Sequence, residues 1–237
     1  MRKIKRIFVD LFRKKENKFD HIMSLGYNCE PMFRFVRYFG FEESSIFNWV
    51  GILNAKHLIF AINNFDNIGE NGFLDPTPLY ECKNSHVRFH GNIFNVEENS
   101  SREVIEEDKK SLYEKLKYLK EKFKNIAFDN SKKLYMMKLK SEDVSFEVMD
   151  EVQKAFEIFG AKNFKILFII EKKDEIKTNK KLPYIIRTVK YFADDNEVVS
   201  KKYLKNGFDK IFDEFWMPNI KKKNKVYKFD KKVKKNG

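Results

Sequence analysis

Ser24-Leu25-Gly26-Tyr27-Asn28-Cys29-Glu30-Pro31 joins a short apolar run, Phe19 to Leu25, to a helical pattern, and that junction decides the fold. Gly26 breaks the run at a turn, and Pro31 falls in the first helical turn, where its missing N–H leaves no bond unmade. Met32, Phe35, Val36 and Phe39 follow at i, i+3, i+4 and i+7, one apolar helix face that ends near Gly40. The segment therefore reads as strand, turn and helix, with Asn28 or Cys29 as the N-cap. A thiol at that position meets backbone N–H groups and the positive end of the helix dipole, both of which favour the thiolate, the reactive form. Glu30 acts in the opposite sense. The competing reading of Cys29 is a small buried side chain that only packs.

Working outward, Phe47 to Phe60 reads as a turn and a second helix. Asn63 to Asn84, rich in Asn, Gly, Asp and Pro, reads as a long irregular connection. His86 to Val96 alternates as a strand or hairpin does. Ser101 to Lys124 is a long helix whose apolar stripe is Val104, Leu112, Leu116 and Leu119 and whose charges form a solvated face. Lys133 to Leu139, Phe164 to Ile170 and Tyr184 to Phe192 read as strands, Ser145 to Phe159 and Asn196 to Phe215 as helices. Strands alternating with helices of this length predict an α/β fold, a three-layer sandwich with a mainly parallel sheet. In such sheets the working groups gather at the carboxyl ends of the strands, where Cys29 falls.

The chain has 237 residues, 42% of them apolar with 25 phenylalanines, enough for one sizeable core. Its net charge of +13 is concentrated at the ends: residues 1–20 carry +5, residues 221–237 carry +8, and the body between is balanced. A balanced body argues against a specific nucleic-acid face, which needs Lys and Arg on the core elements themselves. Three parts follow: a basic amphipathic helix over 1–18, a single domain over 19–216, and a basic, disordered tail over 217–237. In the first, Ile4, Ile7, Phe8, Leu11 and Phe12 form the apolar side, so the helix either packs on the body or lies on an anionic membrane surface, with the tail reinforcing the contact. Two cysteines, no signal peptide and no long apolar run predict a reducing, cytoplasmic setting, peripheral to the inner face of the membrane if the basic ends bind lipid. A Cys29–Cys82 disulfide is not expected there. No cofactor motif and no Cys/His spacing of a zinc site is visible.

Ser24-Leu25-Gly26-x-Asn28-Cys29, an apolar helix carrying Arg37, and then Ser45-x-Phe47-x-Trp49 together resemble the opening signature of a family of mostly uncharacterised bacterial proteins described as papain-like cysteine peptidases. The likeness continues through Arg88-Phe89-His90, the charged helix and the strands at Lys133 and Phe164, covering roughly residues 19 to 216. It implies a cysteine nucleophile and, as the alternative fold, papain-like α+β with a cysteine helix on an antiparallel sheet. The family usually carries an aspartate before the tryptophan, where this chain has Asn48. An amide there can still orient a histidine, as in Cys-His-Asn sites.

A nucleophilic thiol needs a base within hydrogen-bond reach, and the base needs an orienting group. Among four histidines, His90 is the first choice because it ends a strand beside Gly91 and matches the family block. His86, four residues earlier, is the second, and strand alternation places both on one face. His21 reads as structural and His57 as exposed. Asn48, Asn92 and Asp75 are candidate orienters, Asn48 ranked first. The Cys29 N–H with the Asn28 side chain can form an oxyanion hole, and Arg34 and Arg37 either hold an anionic substrate or are ordinary surface charges. Cys82, far from any helix start, reads as a bystander.

The predicted function is a cysteine-dependent hydrolase or acyl transferase that uses a Cys29–His90 dyad on a small-molecule or glycan substrate. The strand-Gly-x-x-Cys-helix turn also resembles the nucleophile turn of α/β hydrolases and of acyltransferases in surface-polysaccharide or glycolipid assembly. The alternative is a non-catalytic or sugar-nucleotide-binding, glycosyltransferase-like module in which the cysteine turn only packs.

Overall fold

A computed structural model of the chain describes residues 17–40, 43–77, 79–91, 96, 99–193 and 206–215. The amphipathic stretch before residue 17 and the basic tail lie outside them. Four strands, β1 (His21–Ser24), β5 (Lys133–Lys138), β6 (Phe164–Glu171) and β7 (Ile185–Val189), form one parallel sheet in the order β1-β5-β6-β7. Between β1 and β5 in the chain, β2 (Val50–Gly51), β3 (Tyr80–Glu81) and β4 (Arg88–Phe89) make a small antiparallel sheet in the order β2-β4-β3. The helices are α1 (Glu30–Phe39), α2 (Ala55–Asn63), α3 (Arg102–Phe128), α4 (Phe146–Phe159) and α5 (Phe208–Asp213). The expected α/β class with a mainly parallel sheet is observed. The papain-like alternative differs from it, because the cysteine follows a parallel strand rather than packing on an antiparallel sheet.

The central strands show why the sheet is parallel and internal. Every residue of β5 is buried, and β6 is buried from Ile166 to Ile170, so these strands read as continuous apolar runs instead of alternating ones. Successive side chains serve two separate cores. Met23, Tyr135, Met137, Ile166, Phe168 and Ile170 join residues of α2, α3 and α4 in one cluster. Ile22, Leu134, Met136, Leu167 and Ile169 join Met32, Phe35, Val36 and Phe39 of α1 and Phe208, Ile211 and Phe212 of α5 in the other. Phe47 of the Ser-x-Phe-x-Trp block inserts into the first, against Phe65 and Phe123, while Trp49 sets its edge on Phe33 of α1.

Several boundaries differ from expectation for local reasons. The α3 helix begins at its Ser101 N-cap, whose hydroxyl accepts from Val104 N–H at 3.4 Å, and runs to Phe128. Its carbonyl end is held by the buried Lys133 ammonium, which donates to Asp129 O at 2.7 Å. Leu112, Leu116 and Leu119 are buried as expected, but Val104 is exposed and the stripe begins at the buried Ile105 instead. Among the described residues of the His86–Val96 segment, Arg88 and Phe89 form a strand, while His86 takes φ +54° and turns the chain. Of the helix expected over Asn196 to Phe215, residues 194–205 lie outside the described set and α5 is the described part. No helix among the described residues is long and apolar enough to cross a membrane.

Candidate active site

The turn between β1 and α1 is tight and backed on both sides. Gly26 and Tyr27 both adopt positive φ, +84° and +80°, a conformation that costs a non-glycine residue free energy and that tends to occur at functional turns. A Cβ on Gly26 would stand 2.8 Å from both Val50 Cγ2 and Ile52 Cδ1, so the turn is pressed against β2 and the residue after it. Ile52 N–H donates to the Tyr27 carbonyl at 3.3 Å, and Leu25 N–H to Met136 O at 2.8 Å. Cys29 is the N-cap of α1, with Pro31 in the first turn as expected. Asn28 supports that end: its Oδ1 accepts from Glu30 N–H at 3.2 Å and from Lys138 Nζ at 3.4 Å.

The same contact with β2 delivers the histidine. Val50 pairs with Phe89 and Gly51 with Arg88, so β4 runs beside the strand that abuts the cysteine turn, and His90 is the residue that follows it. Cys29 Sγ and His90 Nε2 lie 3.8 Å apart, within reach of a sulfur hydrogen bond, although 61 residues separate them in the chain. His90 is exposed and Cys29 is partly buried. Both cysteines are free thiols. Cys82 is fully buried and its Sγ accepts from Gly69 N–H at 3.2 Å, which is a packing role.

Below the thiol is a buried polar knot. Glu30, expected to oppose the thiolate, is turned inward and fully buried. Its Oε1 accepts from Arg34 Nη2 at 3.3 Å and Asn206 Nδ2 at 3.1 Å, and its Oε2 accepts from Lys138 Nζ and Ala193 N–H, both at 3.1 Å. Lys138 closes β5 and lies over the Phe192 ring at 4.3 Å. The carboxylate next to the thiol in sequence is therefore paired with two cations, Arg34 and Lys138, at the end of the helix that carries the positive dipole.

The remaining expected site residues fall elsewhere. Asn48 is fully buried; its Oδ1 accepts from Ser24 N–H at 3.1 Å and its Nδ2 donates to the Glu43 carbonyl. Its hydrogen bonds brace the end of β1 and do not reach His90, which corrects the expectation that it orients the base. Arg34 is buried in the knot, so neither reading of it, substrate ligand or surface charge, describes its place. Arg37, in the last turn of α1, is half-buried, and burial followed by the Arg34 charge pushes its pKa down. His86 bonds Glu81 Oε1 through Nδ1 at 3.0 Å and packs on the His57 ring at 5.3 Å. It does not share a strand face with His90, and His57 is half-buried rather than exposed. Asp75 is exposed and ion-paired with Arg102 and Lys109, and Asn92 lies outside the described residues. His21, read as structural, bonds Glu43 Oε2 at 2.8 Å.

Two groups went unnoticed in the sequence, Lys138 and Asp108. Asp108 is fully buried on α3, between Ile105 and Leu112 on the inward stripe, where a carboxylate is out of place. That placement is a sequence signal once the stripe has the right phase. Comparison with known proteins returned no matching family model, no similar curated protein and no similar solved structure.

Proposed function

We propose that this protein is a cysteine-dependent acyl transferase or hydrolase that works through Cys29 and His90. The observation that carries the proposal is the 3.8 Å separation of Sγ and Nε2 at the N-terminus of α1. We read the surrounding domain as a three-layer α/β sandwich, since α1 and α5 share one apolar cluster with the sheet while α2, α3 and α4 share the other.

In this reading the thiol proton resides on His90 and the thiolate attacks the carbonyl carbon of an ester, thioester or amide, forming a C–S bond. The oxyanion forms beside the start of α1, where backbone N–H groups and the NH2 end of the Asn28 amide are the available donors. His90 then protonates the leaving oxygen, sulfur or nitrogen as its bond to the acyl carbon breaks, which leaves a thioester on Cys29. Water or an acceptor hydroxyl gives its proton to His90, attacks the thioester, and expels the Cys29 thiolate. With Glu30 paired to Lys138 and Arg34, the N-terminus of α1 supports the thiolate at both ends of the cycle. The substrate is a small molecule or a glycan; recruitment to an anionic membrane surface through the basic ends is a further part of the proposal.

The test is the rate of Cys29 alkylation by iodoacetamide as a function of pH, with the buried Cys82 as internal reference. An active dyad gives a lower inflection well below the ordinary thiol value of about 8.5, together with a one-equivalent burst and a thioester mass on Cys29 when a chromogenic acyl ester is supplied. A Cys29 that titrates near 8.5 refutes the dyad and leaves the non-catalytic module as the reading.

A further inference from the structure

We propose that Asp108 is the positioning residue for His90, the buried carboxylate that stands behind the histidine and keeps its imidazole in place as the proton carrier. The inference rests on the dyad reading above and supplies the orienting group that Asn48 does not. Asp108 is fully buried on α3, yet its carboxylate reaches the chain immediately after His90. A Cβ added to Gly91 would lie 1.9 Å from Asp108 Oδ2 and 2.9 Å from Tyr80 Cε2, so residue 91 must be glycine for the carboxylate to stand there. Tyr80 pairs with Phe89 across the small sheet, which places its ring at the same spot from the other side. The buried phenol and carboxylate and the Gly91 backbone therefore meet at one corner, next to the exposed His90. A carboxylate seldom occupies the apolar stripe of a helix unless something charged or polar needs it. The Tyr80 phenol is one hydrogen-bond partner of this carboxylate, and beside it we assign to Asp108 the neighbouring imidazole, which becomes a cation when it takes the thiol proton.

Asp75 and Glu106, which also act on Tyr80, are ion-paired with Arg102 and Lys109. Burial first and the Asp108 hydrogen bond second push the Tyr80 phenol well above its usual range, so Tyr80 stays neutral. His90 meets Cys29 through Nε2.

The test uses the full chain. In the Cys29→Ser protein, where no thiolate acts on the ring, the His90 C–H resonances are titrated by NMR with and without Asp108→Asn, and folding is checked by circular dichroism. The expected His90 midpoint lies above the ordinary value of about 6.5 and falls by about one pH unit in Asp108→Asn. A midpoint that Asp108→Asn leaves in place overturns the proposal. Should that variant not fold, the Cys29→Ser protein alone decides: a midpoint at or below about 6.5 overturns it and one above supports it. Because this readout does not involve the thiol, a failed dyad, seen as free-thiol alkylation of Cys29, is separable from a failed Asp108.

Discussion

Glu30→Gln is the substitution whose cost the structure defines best. The carboxylate accepts four hydrogen bonds, two per oxygen, and two of the donors are the buried cations Lys138 and Arg34. A glutamine keeps one acceptor oxygen and replaces the other with an NH2 group. That group faces either Arg34 and Asn206 or Lys138 and Ala193, donor against donor. Two hydrogen bonds are lost in either orientation, and the buried ion pairs of Glu30 with Arg34 and Lys138 are lost with them. Breaking a buried pair in this way costs about 3–5 kcal/mol, a large part of the roughly 5–15 kcal/mol that stabilises a domain. At about 2–4 °C per kcal/mol for a chain of this size, the midpoint should fall by roughly 6–20 °C. Urea unfolding followed by circular dichroism measures it, with Glu107→Gln on the exposed face of α3 as a control expected within about 0.5 kcal/mol of the wild type. A Glu30→Gln protein within about 1 kcal/mol of wild type would show that the knot relaxes or hydrates freely, and would refute the argument that it is a tight charge cluster.

Gly26→Ala should cost about 2–4 kcal/mol in the same assay, the sum of a left-handed backbone at φ +84° and a methyl 2.8 Å from Val50 and Ile52; a neutral result would mean that β2 gives way. The His21 pKa is raised, chiefly by its hydrogen bond to Glu43, with burial working in the other direction. A raised folded-state value stabilises the protein fully below the ordinary histidine range and the effect disappears as pH rises through the folded-state value. The melting-point gap between wild type and His21→Gln should thus be widest below about pH 6.5, correspond to less than about 1 kcal/mol because the pair is part-exposed, and close in alkali. A gap independent of pH would remove Glu43 as the cause.

Much of this arrangement was visible in the residues, and where it was not the reason is physical. The parallel sheet could be read because β5 and β6 are buried on both faces and therefore consist of unbroken apolar runs. The start of α1 could be read because Pro31 and the spacing of Met32, Phe35, Val36 and Phe39 have no other good conformation. The small sheet could not, since two-residue strands leave no periodicity. Asn48 looked like an orienter because proximity in a motif says nothing about where an amide's bonds go; in the fold they go to Ser24 and Glu43. Asp108 was concealed because the stripe was begun at Val104 in place of Ile105, which leaves position 108 off the line that runs on to Leu112, Leu116 and Leu119.

The thiol and its imidazole belong to different sheets, one four-stranded and deeply buried, the other made of two-residue strands. During synthesis the chain carries an ordinary cysteine until residues 50–52 have seated on the turn and β4 has joined them, and the carboxylate of α3 arrives later still. If Cys29 is the nucleophile proposed above, it is thus dormant in nascent and half-folded chains, where a reactive thiol would be a hazard. It should also fall silent at denaturant concentrations that open the small sheet and leave the parallel one intact.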